Sequence, residues 1–117
     1  MEPTFIDIHS HVSFPQFDAY REDVLARMRE AGVWAITVGV DLESSKKAVA
    51  FAEQHEGIFA TVGLHPADNR SEVFRVEEYE ALLTHPKVVA VGECGFDYVR
   101  IKGNVEEERS FVLLFER

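Results

Sequence analysis

Two histidines two residues apart, His9 and His11, are the first residues here whose type and spacing can do chemistry. On a strand, positions i and i+2 share a face, so both imidazoles can converge on one cation. Strict alternation also puts Asp7 and Phe5 on that face. Two surface histidines in a loop would have the same spacing. Position favours the ligand reading: the pair ends an apolar run, and α/β folds carry their sites at the C-terminal ends of their strands. Glu93 stands in the same place after the run Val88–Val91, with Gly92 and Gly95 beside it to permit close backbone approach. A loop glutamate making a local hydrogen bond is the plain alternative. His65, after a third run and before Pro66, can donate to a substrate phosphate or satisfy its own loop backbone. Asp7 and Asp97, with Tyr98, are placed to orient the ligand side chains.

Histidine and carboxylate donors without thiolates suit zinc, manganese or magnesium. The chemistry expected of such a set is metal-assisted hydrolysis, with water activated and charge on the scissile group neutralised. Cys94 adjoins the candidate site, but a single cysteine beside glycine reads as a small packed residue, not a nucleophile. His55 and His85 read as structural, and Trp34 as core.

The elements that must position these residues alternate strand and helix. Apolar runs cover Phe5–Ile8 (continuing into His9-Ser10-His11), Trp34–Val40, Ile58–Leu64 and Val88–Val91. Between the first two lies a helix with Tyr20, Val24, Leu25, Met28 and Ala31 at helical spacing, for which Asp18 is the expected N-cap and Gly32 the C-terminal glycine. Asp41 caps a second helix, with Ala48, Phe51, Ala52 and His55 on one face and Gly57 closing it. A weaker helix spans Val76 to Thr84 before Pro86. Asn104 and Glu107 form a capping box opening a last helix, which carries the apolar run Phe111–Phe115 and has no closing signal at Arg117. That run asks for a partner surface, and the expectation is a cut inside a longer fold. Four strand–helix units predict right-handed crossovers and a parallel sheet, with Trp34–Val40 apolar enough to be buried on both faces.

Composition excludes several classes. The 117 residues are 46% hydrophobic and 28% charged, a globular balance that rules out a disordered chain and allows one domain with a core. No apolar run approaches the ~18 residues of a membrane helix. Met1-Glu2-Pro3-Thr4 shows no basic segment leading into an apolar stretch. With one cysteine, a disulfide framework and a multi-cysteine zinc site are excluded, and a reducing cytoplasmic location is expected. A net charge of −9 argues against gripping nucleic acid through a broad basic surface, though not against a site where bound cations meet phosphate.

Three segments, Phe5-Ile6-Asp7-Ile8-His9-Ser10-His11, Ala60-Thr61-Val62-Gly63-Leu64-His65-Pro66 and Val91-Gly92-Glu93-Cys94-Gly95-Phe96-Asp97-Tyr98, together resemble the TatD family of metal-dependent deoxyribonucleases, within the amidohydrolase-like TIM barrels. The resemblance covers essentially the whole chain. It implies a (β/α)8 barrel with a two-metal site for phosphodiester hydrolysis of DNA. His9 and His11 match the first ligand pair, Glu93 the carboxylate shared by the two metals and catalytic in that sense, and His65 a histidine at the site's rim. Phe96 stands where the family usually has Leu, and Phe111 where Gln is expected. A barrel of this kind needs ~250 residues, so the chain corresponds to the first four βα units, residues 1–117, as an N-terminal half. The family's remaining ligands, two histidines and an aspartate on strands five, six and eight, have no counterpart. The expected activity of the isolated half is therefore low. A non-catalytic half-barrel that binds metal or serves in assembly is one alternative, and a TatD-like D-aminoacyl-tRNA deacylase another. A four-stranded parallel sheet has two unpaired edges, so self-association is expected.

Overall fold

The computed structural model describes residues 2–67, 72–95, 97 and 100. The expected helix from Asn104 through Phe115, and Phe96 and Tyr98 of the third motif, lie outside the described residues. The elements run β1 (Phe5–Ser10), a 3-10 turn (Pro15–Phe17), α1 (Arg21–Glu30), β2 (Val33–Val38), α2 (Leu42–Gln54), β3 (Ile58–Val62), α3 (Val76–Leu83) and β4 (Val88–Val91). All strand pairs are parallel, in the order β1-β2-β3-β4. Helices therefore return the chain to the same sheet end each time, which puts every strand-to-helix loop on one rim.

Two glycines end their helices as expected: Gly32 at φ 64° and Gly57 at φ 76°, conformations that suit a residue without Cβ. Gly57 also touches the Trp34 indole, where an added Cβ would come within 2.6 Å. Asp41 caps α2 by accepting from the Ser44 N–H, and Ser44 Oγ accepts in return from the Asp41 N–H, a complete capping box.

Asp18 does not cap α1. The 3-10 turn begun by Pro15 carries Asp18 into helical backbone angles, whereas an N-cap needs extended ones. The helix starts later, after Tyr20, with no side-chain cap. Tyr20 is left outside the helix and exposed. The Asp18 carboxylate instead pairs with Arg21 at 2.6 Å.

The core lies between sheet and helices: Ala35, Ile58, Ala60 and Val62 pack against Leu25, Ala48, Val49, Ala52 and Tyr79. β2 is sealed at Ala35, Thr37 and Val38 but only half-buried at Val33, Trp34 and Ile36, so it is not covered on both faces. Trp34 is accordingly half-buried, its ring 5.6 Å from Phe59 at the N-terminal end of the strands, and is not a core residue. The outer strands carry exposed apolar side chains: Phe5, Ile6 and Ile8 on β1, Val89 and Val91 on β4.

Candidate metal centre

β1 delivers two histidines to the rim, with one irregularity that alternation alone does not foresee. Asp7 pairs with Ala35 but Ser10 pairs with Thr37, so β1 holds one extra residue between them. Alternation resets across such a bulge. His9 and His11 flank Ser10 and share a phase opposite to it; Asp7, paired before the bulge, does not share that phase. The Asp7 carboxylate accepts from the His9 backbone N–H at 3.0 Å, so it shapes the strand and is not aligned with the rings. His11 falls one residue past the strand. The two imidazoles meet edge to face, ring centres 5.2 Å apart.

Three consecutive backbone carbonyls at the C-terminal end of β2, Val38 to Val40, hold the site together. Val38 O accepts from His11 Nδ1 at 3.1 Å. Gly39 O accepts from the Glu93 N–H at 3.1 Å, and Val40 O from the His65 N–H at 2.8 Å. Each of the three side chains is thus referred to the same strand end, although they come from β1, β3 and β4.

The side chains converge on the Glu93 carboxylate. His9 Nε2 lies 3.4 Å and His11 Nε2 3.8 Å from Oε2, while His65 Nε2 lies 3.4 Å from the other oxygen, Oε1. His9 is half-exposed, His11 and Glu93 about one-third exposed, and His65 buried. The hydrogen-bond partners assign opposite tautomers to His11 and His65. A carbonyl only accepts, so in its neutral form His11 carries its proton on Nδ1 and turns a lone pair outward at Nε2. His65 Nδ1 accepts from the Ala67 N–H at 3.0 Å, so its proton sits on Nε2, facing Glu93. His11 is built as a metal ligand is built, with its second nitrogen donating to a backbone carbonyl. His65 is built as a donor.

The donor set fits a divalent cation. The ligand atoms of His9, His11 and Glu93 all lie within 4.8 Å of one another. Donors bound to one ion at ~2.0–2.2 Å stand roughly 3–3.6 Å apart, close to the 3.4 and 3.8 Å found here. Two imidazole nitrogens and one carboxylate oxygen suit zinc or manganese.

The other sequence candidates have described contacts of their own. Asp97 accepts from the Arg100 N–H at 2.9 Å and faces its guanidinium at 3.5 Å. Cys94 is exposed, not packed. His55 stacks on Phe51 at the end of α2, and His85 Nδ1 accepts from the Lys87 N–H, both structural. Arg21 carries no sequence signal, yet it clamps the loop behind the histidines: Nε donates to Val12 O at 2.8 Å and Nη2 to Phe14 O at 2.7 Å. Phe14 in turn packs its ring 4.6 Å from that of His11. Ser45, fully buried, bonds the Gly63 N–H at 3.2 Å and ties α2 to the end of β3. No helix among the described residues is long and apolar enough to cross a membrane.

The chain has counterparts among known proteins in sequence and in fold. The family profile described as TatD related DNase matches residues 6–116. The 3'-5' ssDNA/RNA exonuclease TatD of Cronobacter turicensis is 39% identical over 111 residues, covering 90% of this chain and 41% of that protein. The protein of the same name in Escherichia coli K12 is 38% identical over 109 residues, covering 91% and 42%. The crystal structure of YjjV, a TatD homologue of E. coli K12, superposes with a TM-score of 0.79 at 32% identity, covering 96% of this chain and 44% of that one. The chain spans about two-fifths of the length of these relatives. With the motifs, the parallel βα order and the superposition in agreement, the chain belongs to the TatD family of DNases and forms the N-terminal half of its TIM-barrel fold.

Proposed function

We propose that His9, His11 and Glu93 hold a divalent cation and that the chain supplies this part of a hydrolytic centre for phosphodiester bonds in single-stranded nucleic acid. The observation that carries this is the convergence of two imidazole nitrogens and one carboxylate oxygen within 4.8 Å at the C-terminal rim of a parallel sheet. The substrate class rests on the relatives named as single-stranded DNA/RNA exonucleases. A cation bound there supplies charge neutralisation and water activation.

The residues of the chain divide the remaining work. His9 and His11 present lone pairs, and Val38 O fixes the ring of His11 so that Nε2 faces Glu93. Glu93 offers its oxygens in two directions, Oε2 to the histidine pair and Oε1 to His65. With its oxygens turned two ways, Glu93 would be able to serve more than one cation. His65, protonated at Nε2, donates toward the non-bridging oxygens of a phosphodiester. Residues 1–117 act as one unit, the half-barrel, and the lone exposed Cys94 suits a reducing cytoplasm.

Titration of the purified chain with Zn2+ or Mn2+ tests the ligand assignment. His9→Ala, His11→Ala and Glu93→Ala are each expected to weaken binding about tenfold or more, as loss of a ligand or its orienting partner does. His65→Ala is expected to leave affinity near that of the parent. Equal loss in all four variants would overturn the division between ligands and donor. A 3'-labelled single strand incubated with the chain and Mg2+, Mn2+ or Zn2+ is expected to survive, because the described residues gather only three donors. Metal-dependent cleavage abolished by Glu93→Ala would show that these three suffice.

A further inference from the structure

β1 and β4 are separated in the sheet by β2 and β3, yet Glu93 reaches the histidines of β1. The path explains how. Gly92 N–H still donates to Val62 O at 2.9 Å, so the chain leaves β4 in register with β3. One residue later, Glu93 N–H donates to Gly39 O, at the end of β2. Between these two bonds the backbone crosses over the end of β3. The residue beneath the crossing is Gly63, where an added Cβ would lie 2.7 Å from Gly92 C, 2.8 Å from Glu93 O and 3.0 Å from Glu93 N. All three are backbone atoms, which cannot swing aside as a side-chain tip does. Gly63 cannot move down either, because its N–H is held by the fully buried Ser45 Oγ.

We infer that Gly63 is a positioning residue: the absence of its side chain is what lets the Gly92–Glu93 backbone cross β3 and bring the Glu93 carboxylate to His9 and His11. Any side chain at 63 lifts the crossing segment, breaks the Glu93–Gly39 bond and withdraws the carboxylate from the histidine pair. This deepens the metal-site proposal and, for its metal readout, rests on it.

Two measurements on the full chain separate the inference from that proposal. Zn2+ alone is titrated into the parent, Gly63→Ala and Val62→Ala. Val62→Ala removes buried volume from the same strand without adding an atom beneath the crossing. Gly63→Ala is expected to raise the apparent Kd at least tenfold, while Val62→Ala lowers the melting temperature and keeps the parent's Kd. Equal Kd for a folded Gly63→Ala and the parent would overturn the inference. The second measurement needs neither metal nor a folded variant: amide hydrogen exchange in the parent. The Glu93 amide, bonded to Gly39 O under the crossing, is expected to exchange at least tenfold more slowly than an open loop amide. Unprotected exchange at Glu93 overturns the crossing. A protected Glu93 amide in a parent that binds no Zn2+ overturns the metal-site proposal and leaves the path, and the role of Gly63 in it, standing.

Discussion

His11 and His65 both lean on the strand end after β2, yet their Nδ1 atoms play opposite parts: one donates to Val38 O, the other accepts from the Ala67 N–H. A neutral imidazole has one proton, so opposite partners impose opposite tautomers. Nitrogen-detected or long-range proton–nitrogen NMR at neutral pH is expected to show His11 protonated at Nδ1 and His65 at Nε2. The same tautomer in both rings would remove the basis for treating one as a ligand and the other as a donor.

Arg21 is expected to matter more than its place at the start of a helix suggests. Its guanidinium ties Val12 O and Phe14 O, the carbonyls of the loop that carries Phe14 against His11. Hydrogen bonds from a charged group are worth ~1.5–3 kcal/mol each. Arg21→Met, which keeps the aliphatic stem, is expected to cost about 2–3 kcal/mol in urea denaturation. Asp18→Ala, which removes only an exposed carboxylate from the same guanidinium, is expected to cost under about 1 kcal/mol.

A pH signature should come from Tyr79. Burial, and then its hydrogen bond to Glu72, raise the hydroxyl's pKa well above the ordinary 10.0. The folded chain therefore keeps the proton where the unfolded chain loses it. Stability from this group is fully present below pH 10 and is lost as pH rises above it, since the unfolded state then binds fewer protons. Tyr79→Phe is expected to remove that alkaline slope. At neutral pH it should cost about 1–3 kcal/mol by taking a donor from Glu72, whose other oxygen accepts from the Leu42 N–H at the start of α2. Denaturation curves from pH 8 to 11 on both proteins measure the difference.

The outer strands predict association. β1 and β4 each pair on one side only among the described residues, and both carry exposed apolar side chains. Open parallel edges of this kind template pairing with another chain. Light scattering is expected to show species larger than a monomer, decreasing in Ile8→Lys, which puts a charge on a highly exposed edge position. A monomer at all concentrations, with a sharp thermal transition, would show that both edges are protected.

Much of the fold was legible because its signals are local. Apolar runs, the Asp41–Ser44 box and glycines 32 and 57 each act over a few neighbours, and each element sits where those neighbours place it. Asp18 misled because cap preference describes residue type, while the backbone angles were set upstream by Pro15. The bulge in β1 was invisible because nothing in the types of Asp7, Ile8, His9 and Ser10 encodes an extra residue; the register with β2 does. At the site, residue types pointed to His9, His11 and Glu93. The partners that hold His11, Glu93 and His65 are backbone carbonyls, which every residue has, so no sequence pattern could single out Val38, Gly39 and Val40.

Those three carbonyls also decide which genetic changes the rim can absorb. Substitutions at 38 and 40 alter side chains while leaving the acceptors in place, so drift there costs packing but not orientation. A single-residue insertion or deletion within β2 is different. It would slide the whole triplet by one step and hand His11, Glu93 and His65 the wrong acceptor at once. The centre is therefore tolerant to spelling and intolerant to frame, and its weakest point is the length of a strand that contributes no reactive side chain.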